Sequence, residues 1–304
     1  MAKILITDPV SEELIQILRS AGHEVDYLPD IDSSHLISII ENYDAIAVRS
    51  RTKVTRKVID AGKKLRVIAR VGVGLDNIDV KYAREKGITV INAGEATAQT
   101  VAELAMGLII ALVRKVYYGY RRLREGGWAK KECLGIELYG KTLGIIGAGN
   151  IGTRLGIIAH YGFGMRVLGY RRRLGLVKPP LIPALLDEIL SESHIISIHL
   201  PLTEETKGFF GPEIFSKMRR GVYIVSTSRM EIINIDALID ALSNGIVAGF
   251  AADTNIKPDN PKISKLLSFD NVLLTPHIGA QTKEAQQRAA RYIAQRIIEI
   301  LEKS

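Results

Sequence analysis

The sequence predicts an α/β protein built from two Rossmann-like domains, each a doubly wound parallel sheet. Three observations carry that prediction. Apolar runs of strand length alternate with amphipathic segments in two separate series, no Ser-rich or Pro-rich linker parts the two series, and 304 residues exceed what one hydrophobic core usually serves. The first series is "KILIT", "HEVDYL", "DAIAVRS", "LRVIARVG" and "ITVINAG". A single long helix is expected next, over "TAQTVAELAMGLIIALVRKVYYGYRRLREG", which runs about thirty residues without proline and exceeds the usual globular helix. The second series is "KTLGIIGAGNIG", "MRVLGY", "HIISIHLP", "GVYIVSTS", "GIVAGFAADT" and "NVLLTPHIG", and the helix "TKEAQQRAARYIAQRIIEILEKS" closes the chain. With no flexible linker, one domain is expected to be inserted into the other: 1–95 with 281–304, and 96–280, the active site lying in the cleft between them.

Composition narrows the class. Hydrophobic residues make up 47% and charged residues 24%, with 27 Gly, the profile of a soluble globular α/β protein. No stretch reaches the ~18 uninterrupted apolar residues of a membrane span. The opening "MAKILITDPV" lacks the order of a signal peptide, so a cytoplasmic protein with no membrane partner is expected. The single Cys133 excludes an intramolecular disulfide, and six scattered His without a CxxC pair give no zinc-like ligand set. No metal is therefore expected. The net charge of +8 is spread over many segments without a nucleic-acid-binding signature, which points to anionic small molecules as partners and not to nucleic acid.

The stretch "KTLGIIGAGNIGTRLGIIAHYG" places Gly147, Gly149 and Gly152 after an apolar strand and at the start of a helix. Gly147 permits a tight turn, Gly149 lets a pyrophosphate approach the backbone, and Gly152 lets helix and strand pack closely. The amides of the helix start, at Asn150 and Ile151, face the anion. The next strand, ending "VLGYRRRLG", should present an acid to the adenosine ribose, but Arg171 stands there, beside Tyr170 and followed by Arg172 and Arg173. A guanidinium grips a 2′-phosphate and cannot accept from ribose hydroxyls. The cofactor is thus NAD(H) or NADP(H), with Arg171 to Arg173 leaning to NADP(H).

Nearly the whole chain resembles the D-isomer-specific 2-hydroxyacid dehydrogenases, and within them the phosphoglycerate dehydrogenase branch. The resemblance rests on "VRSRTKVT", "ARVGVGLDNID", "TVAELAMGL", "EGGWAKK", "LYGKTLGIIGAGNIG", "SIHLPLTEETKGFF", "STSR" and "LLTPHIGAQT", in the family's order. It implies hydride transfer between a nicotinamide and a small 2-hydroxy or 2-keto acid. Arg229 is then expected to clamp the substrate's carboxylate and keto oxygen, and His277 to act as general acid and base. The backbone of Val73 and Gly74 is expected to bind the carboxylate. Asp253 matches the acid that holds the nicotinamide amide, and His199, Pro201, Thr203, Thr227 and Ser228 lie along the cofactor's path. Arg49 and Arg51 match the segment that holds a substrate phosphate. Trp128, Lys130 and Lys131 match a piece that reaches from a neighbouring subunit, so a homodimer formed through the helix near residues 98 to 125 is expected. The chain ends after the last helix, so the regulatory extension of some relatives is expected to be absent.

Chemistry supports the same pair. Reduction of a ketone leaves an alkoxide that needs a proton donor titrating near neutrality, and His serves. An adjacent Arg fixes the acid by two-point contact. The family's pattern breaks at "DTNIKPDNP", where the Glu that bonds the catalytic His falls on Pro258 or, with a gap, on Lys257. Loss of that carboxylate is expected to lower the imidazole pKa. Met230 stands where the family has Gly and is expected to narrow the site. Three readings stay open: a phosphoglycerate-type dehydrogenase, an NADPH-dependent reductase of glyoxylate or hydroxypyruvate, and a catalytically weakened dinucleotide-binding relative.

Overall fold

A computed structural model describes residues 1–303; Ser304, the end of the expected last helix and of the outer domain, lies outside the described residues. In chain order the elements are β1 (Lys3–Ile6), α1 (Glu12–Ser20), β2 (Glu24–Tyr27), α2 (Ser33–Ile39), β3 (Ala45–Val48), α3 (Arg56–Ala61), β4 (Val67–Arg70), α4 (Val80–Glu85) and β5 (Thr89–Asn92). Two helices follow, α5 (Gly94–Val113) and α6 (Val116–Arg124), then β6 (Thr142–Ile146), α7 (Asn150–Phe163), β7 (Arg166–Tyr170), β8 (Ile182–Pro183), α8 (Leu186–Glu192) and β9 (Ile195–Ile198). The chain continues through α9 (Pro212–Ser216), β10 (Val222–Ser226), α10 (Ile235–Ser243), β11 (Val247–Asp253), α11 (Pro261–Leu267), β12 (Val272–Thr275) and α12 (Lys283–Glu302).

Two compact units result, Met1–Thr97 with the chain from Ala280 onward, and Ala98–Gly279. The first unit holds a five-stranded sheet in the order β2-β1-β3-β4-β5, every pair parallel. Ile4 and Ile6 of β1 join one buried cluster while Leu5 between them joins another, so both faces of the sheet are covered. Parallel strands buried on two faces are apolar throughout, which is why they read as unbroken runs in the sequence. The second unit repeats the design with a sheet in the order β12-β11-β10-β9-β6-β7-β8. Ile145 and Ile146 again enter opposite clusters. The order reverses beside β6, and in open parallel sheets that reversal leaves a crevice at the carboxyl ends of the strands.

One expectation needs correction. The long helix is broken at Lys115, whose φ of 51° puts it in the left-handed region, and α6 starts anew one residue later. The Lys115 ammonium donates to the Glu132 carbonyl at 2.8 Å, tying the break to the segment that follows α6. Helix α5 is also long and apolar enough to cross a membrane by length and composition, yet 61% of its most apolar window is buried. Ala102, Ala105, Met106 and Ile109 explain its composition, because they pack in the core of the second unit.

Candidate active site

Strand β6 ends at Ile146 and α7 begins at Asn150, so three residues must reverse the chain. Gly147 does so at φ +100°, and a Cβ there would lie 2.6 Å from the carbonyl oxygen of His199. A Cβ on Gly152 would lie 2.6 Å from the Gly147 carbonyl oxygen and 2.7 Å from Ile145 Cγ2. Gly149 differs, for a Cβ there would meet nothing within 4 Å. The fold itself thus demands Gly147 and Gly152, while Gly149 leaves space above the helix start. The amides of Asn150, Ile151 and Gly152 open α7 without an intrahelical acceptor, and among the described residues no side chain caps them. With the positive end of the helix dipole behind them, they form a cradle that fits a pyrophosphate.

The strands on either side support this turn. The carbonyl of Tyr170 accepts from the amides of Gly147 and Ala148, each at 3.0 Å. After β7, Arg171 reaches the Leu176 carbonyl at 3.5 Å, and Arg172 forms an ion pair with Glu205 of the loop after β9. Both partners are open to solvent, at 81% and 70% of side-chain exposure, so the pair itself adds little stability. In the same loop Thr206 Oγ1 donates to the Pro201 carbonyl at 2.6 Å, and the Thr206 amide donates to Thr203 Oγ1 at 3.2 Å. These bonds make a self-capped turn.

His199 follows the end of β9 and is half-buried. Its ring is hydrogen-bonded to Ser197 Oγ at 2.9 Å and to Thr227 Oγ1 at 2.8 Å. Burial lowers its pKa to about 4, so the ring is neutral at physiological pH. Ser228 Oγ donates to the Ile198 carbonyl at 3.1 Å. Thr227 and Ser228 are therefore fixed just before Arg229, which follows the end of β10 and precedes a short 3-10 turn, Met230–Ile232.

His277 follows β12 at φ 55°, a left-handed conformation uncommon for a residue with a side chain. The neighbouring strand enforces it. Asp253, at the end of β11, accepts from Thr275 Oγ1 at 2.6 Å, from the Ile278 amide at 2.8 Å and from the Gly279 amide at 2.8 Å. A Cβ on Gly279 would come within 3.0 Å of that carboxylate. The displayed work of Asp253 is to brace the loop on both sides of His277, and strain held in this way by surrounding structure is a mark of functional loops. Lys257 and Pro258, the positions of the family's missing Glu, lie in the irregular segment between β11 and α11. Met230 departs from the expectation that it narrows the site: its side chain is 1% exposed and packs in the core beside Ile232.

In the first unit, Val73 and Gly74 lie in the turn beyond β4, where Asn92 Nδ2 donates to the Val73 carbonyl at 2.6 Å. Arg49 and Arg51 follow β3 and behave differently from each other. Arg51 turns its guanidinium inward, donating to the Thr7, Pro29 and Ile31 carbonyls and pairing with buried Asp8 at 3.2 Å. The expectation that it points at a substrate phosphate is corrected to one of bracing, because these four acceptors occupy its donors. Among the described residues, the Arg49 side chain donates to the Pro9 carbonyl alone, at 3.3 Å. Trp128, in the irregular segment after α6, is 80% exposed. Sequence reading passed over Asn255, Glu231, Thr275 and Glu205; the signal for Asn255 was a polar residue two positions past an apolar strand's last acid.

Residues 106–279, more than half of the chain, match the family model for the D-isomer specific 2-hydroxyacid dehydrogenase, NAD binding domain. The chain is 42% identical to a hydroxypyruvate reductase of Thermotoga maritima, over 98% of both proteins. It is 41% identical to a D-3-phosphoglycerate dehydrogenase of Methanocaldococcus jannaschii over 99% of its own length, but spans only 58% of that relative. Among solved structures, a glyoxylate reductase from Paecilomyes thermophila aligns with a TM-score of 0.89 at 28% identity, covering 99% of this chain and 96% of that one. With the dinucleotide cradle and the braced histidine loop on one sheet, this chain belongs to the D-isomer-specific 2-hydroxyacid dehydrogenase family.

Proposed function

We propose that the protein is a nicotinamide-dependent oxidoreductase acting at C2 of small D-2-hydroxy and 2-keto acids, with a D-3-phosphoglycerate-type acid as its substrate. The dinucleotide, when bound, supplies or accepts the hydride. Residues of the chain do the rest. The guanidinium of Arg229 holds the substrate's carboxylate and keto oxygen. The imidazole of His277 gives a proton to the keto oxygen in reduction and takes one from the hydroxyl in oxidation. Backbone amides at Val73 and Gly74 add carboxylate donors, and Arg49 is the side chain offered to a substrate phosphate. The observation that carries this reading is the run of strand ends in the second unit: the cradle of Gly147 to Gly152, Arg229 after β10 and His277 after β12 all lie at the same edge of one parallel sheet.

A second reading, reduction of hydroxypyruvate or glyoxylate, is favoured by Arg51, whose engaged guanidinium leaves one fewer cation for a phosphate. A relative of each name supports each of the two readings. Arg171 to Arg173 support NADP(H) over NAD(H). The exposed apolar side chains of Val116, Tyr117, Tyr120 and Leu123 on α6, with Trp128 beyond it, support a homodimer formed through this region. A cytoplasmic location belongs to the same proposal.

The test is a rate assay with 3-phosphohydroxypyruvate, hydroxypyruvate and glyoxylate, each with NADH and NADPH, following loss of reduced-nicotinamide absorbance. The first reading expects the highest kcat/KM with the phosphorylated acid, and the second expects it with one of the other two. No turnover with any pair, alongside intact nucleotide binding, leaves the weakened relative standing.

A further inference from the structure

Strand β11 lies between β10 and β12, so the residues at its carboxyl end sit beside the Arg229 loop on one side and the His277 loop on the other. Asp253 serves the His277 side, as described. Two residues later, Asn255 serves the other. Its Oδ1 accepts from the Met230 amide at 3.2 Å, and its Nδ2 donates to both carboxylate oxygens of Glu231, each at 3.2 Å. The bonded residues are those immediately after Arg229. Thr254 sets up the contact: its amide donates to the Thr275 carbonyl at 2.9 Å, and its hydroxyl accepts from the Ile256 amide at 3.0 Å, closing a tight turn around Asn255. On the far side of Arg229's turn, Met230 and Ile232 are anchored in the core, and the Ile232 amide donates to the Arg229 carbonyl at 3.1 Å.

We propose that Asn255 is a positioning residue for Arg229: a primary amide that fastens the backbone leaving Arg229 to the end of β11, with Glu231 as its partner and not as a proton-transferring acid. The proposal rests on the reading of Arg229 as the substrate clamp. An amide suits the post because it must accept from one N–H and donate to a carboxylate at once, which neither Asp nor Ala does. Asp253 and Asn255 together make the end of β11 a common mount for the two candidate catalytic side chains, so that a shift on one side is not free of the other. Misplacing a clamping group weakens substrate capture far more than it weakens nucleotide binding, whose cradle lies beyond β9 in the sheet order.

Three variants of the full chain test this: Asn255→Ala, Asn255→Asp, and Asn255→Asp with Glu231→Gln, which swaps the amide and carboxylate across the contact. The readouts are KM and kcat for the preferred keto acid, the Kd for reduced dinucleotide, and calorimetric binding of oxalate as a carboxylate probe that needs no turnover. For Asn255→Ala the expected result is a rise of about tenfold in KM and in the oxalate Kd, with the dinucleotide Kd within about twofold of the parent. Asn255→Asp should fare as badly, since it sets a like charge against Glu231, and the swapped pair should recover to within about threefold of the parent. An unchanged oxalate Kd in Asn255→Ala overturns the proposal, as does failure of the swapped pair to recover in a folded protein. A parent protein that binds oxalate yet reduces no keto acid counts against the proposed function alone, because the oxalate arm still reads the position of Arg229.

Discussion

The carboxylate of Asp253 accepts a hydrogen bond from the backbone amide of Gly279 at 2.8 Å, reaching across from the end of β11 to the far side of the His277 turn. Together with its bonds to Thr275 and Ile278, this contact makes a left-handed histidine the stable conformation of its loop. The first consequence is for Asp253→Asn. An amide cannot accept from three donors as a carboxylate does, and hydrogen bonds to a charged acceptor contribute about 1.5–3 kcal/mol each. The variant should lose about 2 kcal/mol of stability in a denaturant titration and about tenfold or more in kcat. Parent-like kcat would show that the brace does not govern the histidine.

The glycines of the cradle separate two kinds of requirement. Gly152→Ala meets backbone at 2.6 Å and should lower thermal stability as well as dinucleotide binding. Gly149→Ala meets nothing within 4 Å in the protein, so it should fold with parent stability. Its methyl group nonetheless stands where the pyrophosphate would approach the amides of α7, and the dinucleotide Kd should rise by about tenfold or more. Fluorescence titration with NADH and NADPH reads the second effect, and a thermal melt reads the first.

Arg172 is paired with Glu205 across the mouth of the proposed adenosine region, so the glutamate competes with any 2′-phosphate for that guanidinium. Glu205→Gln should tighten NADPH by about threefold while leaving NADH within about twofold. Arg171→Asp should do the opposite, weakening NADPH more than NADH. Equal effects on both nucleotides in both variants would remove the arginines from cofactor choice.

His199 predicts a pH dependence with a definite sign. Its folded pKa is lowered from 6.5 to about 4 because the ring is buried. Above pH ~6.5 the ring is neutral in both states and burial costs nothing in protonation; as pH falls toward ~4 the unfolded chain takes up a proton that the folded ring refuses. Stability should therefore drop by up to about 3 kcal/mol over that window. His199→Gln, which keeps a donor and an acceptor for Ser197 and Thr227, should flatten the slope in urea midpoints measured across it.

The central strands of both sheets, such as β3 and β9, were legible because they are buried on two faces and so carry an unbroken apolar run. Strand β8 was not, since its two residues are exposed and one is a proline. The break at Lys115 left no mark either: lysine is a good helix former, and its left-handed turn is set by a tertiary bond to the Glu132 carbonyl. Within the site, the glycine spacing and Arg229 with His277 could be read from residue type and order. The inward turn of Arg51 could not, because its acceptors are backbone carbonyls at residues 7, 29 and 31, which sequence order does not place together. Asn255 escaped for the same reason, its partners lying more than twenty residues away along the chain.

The most direct measurement follows the hydride itself. Dinucleotide carrying deuterium at the transferring face of its nicotinamide would be incubated with the protein and the best keto acid of the panel, and the product examined by proton NMR and chiral separation. Deuterium is expected at C2 of the D-hydroxy acid, at a rate that collapses in both Arg229→Ala and His277→Ala. A product without the label, an L-hydroxy acid, or parent-like rates in those two variants would contradict it.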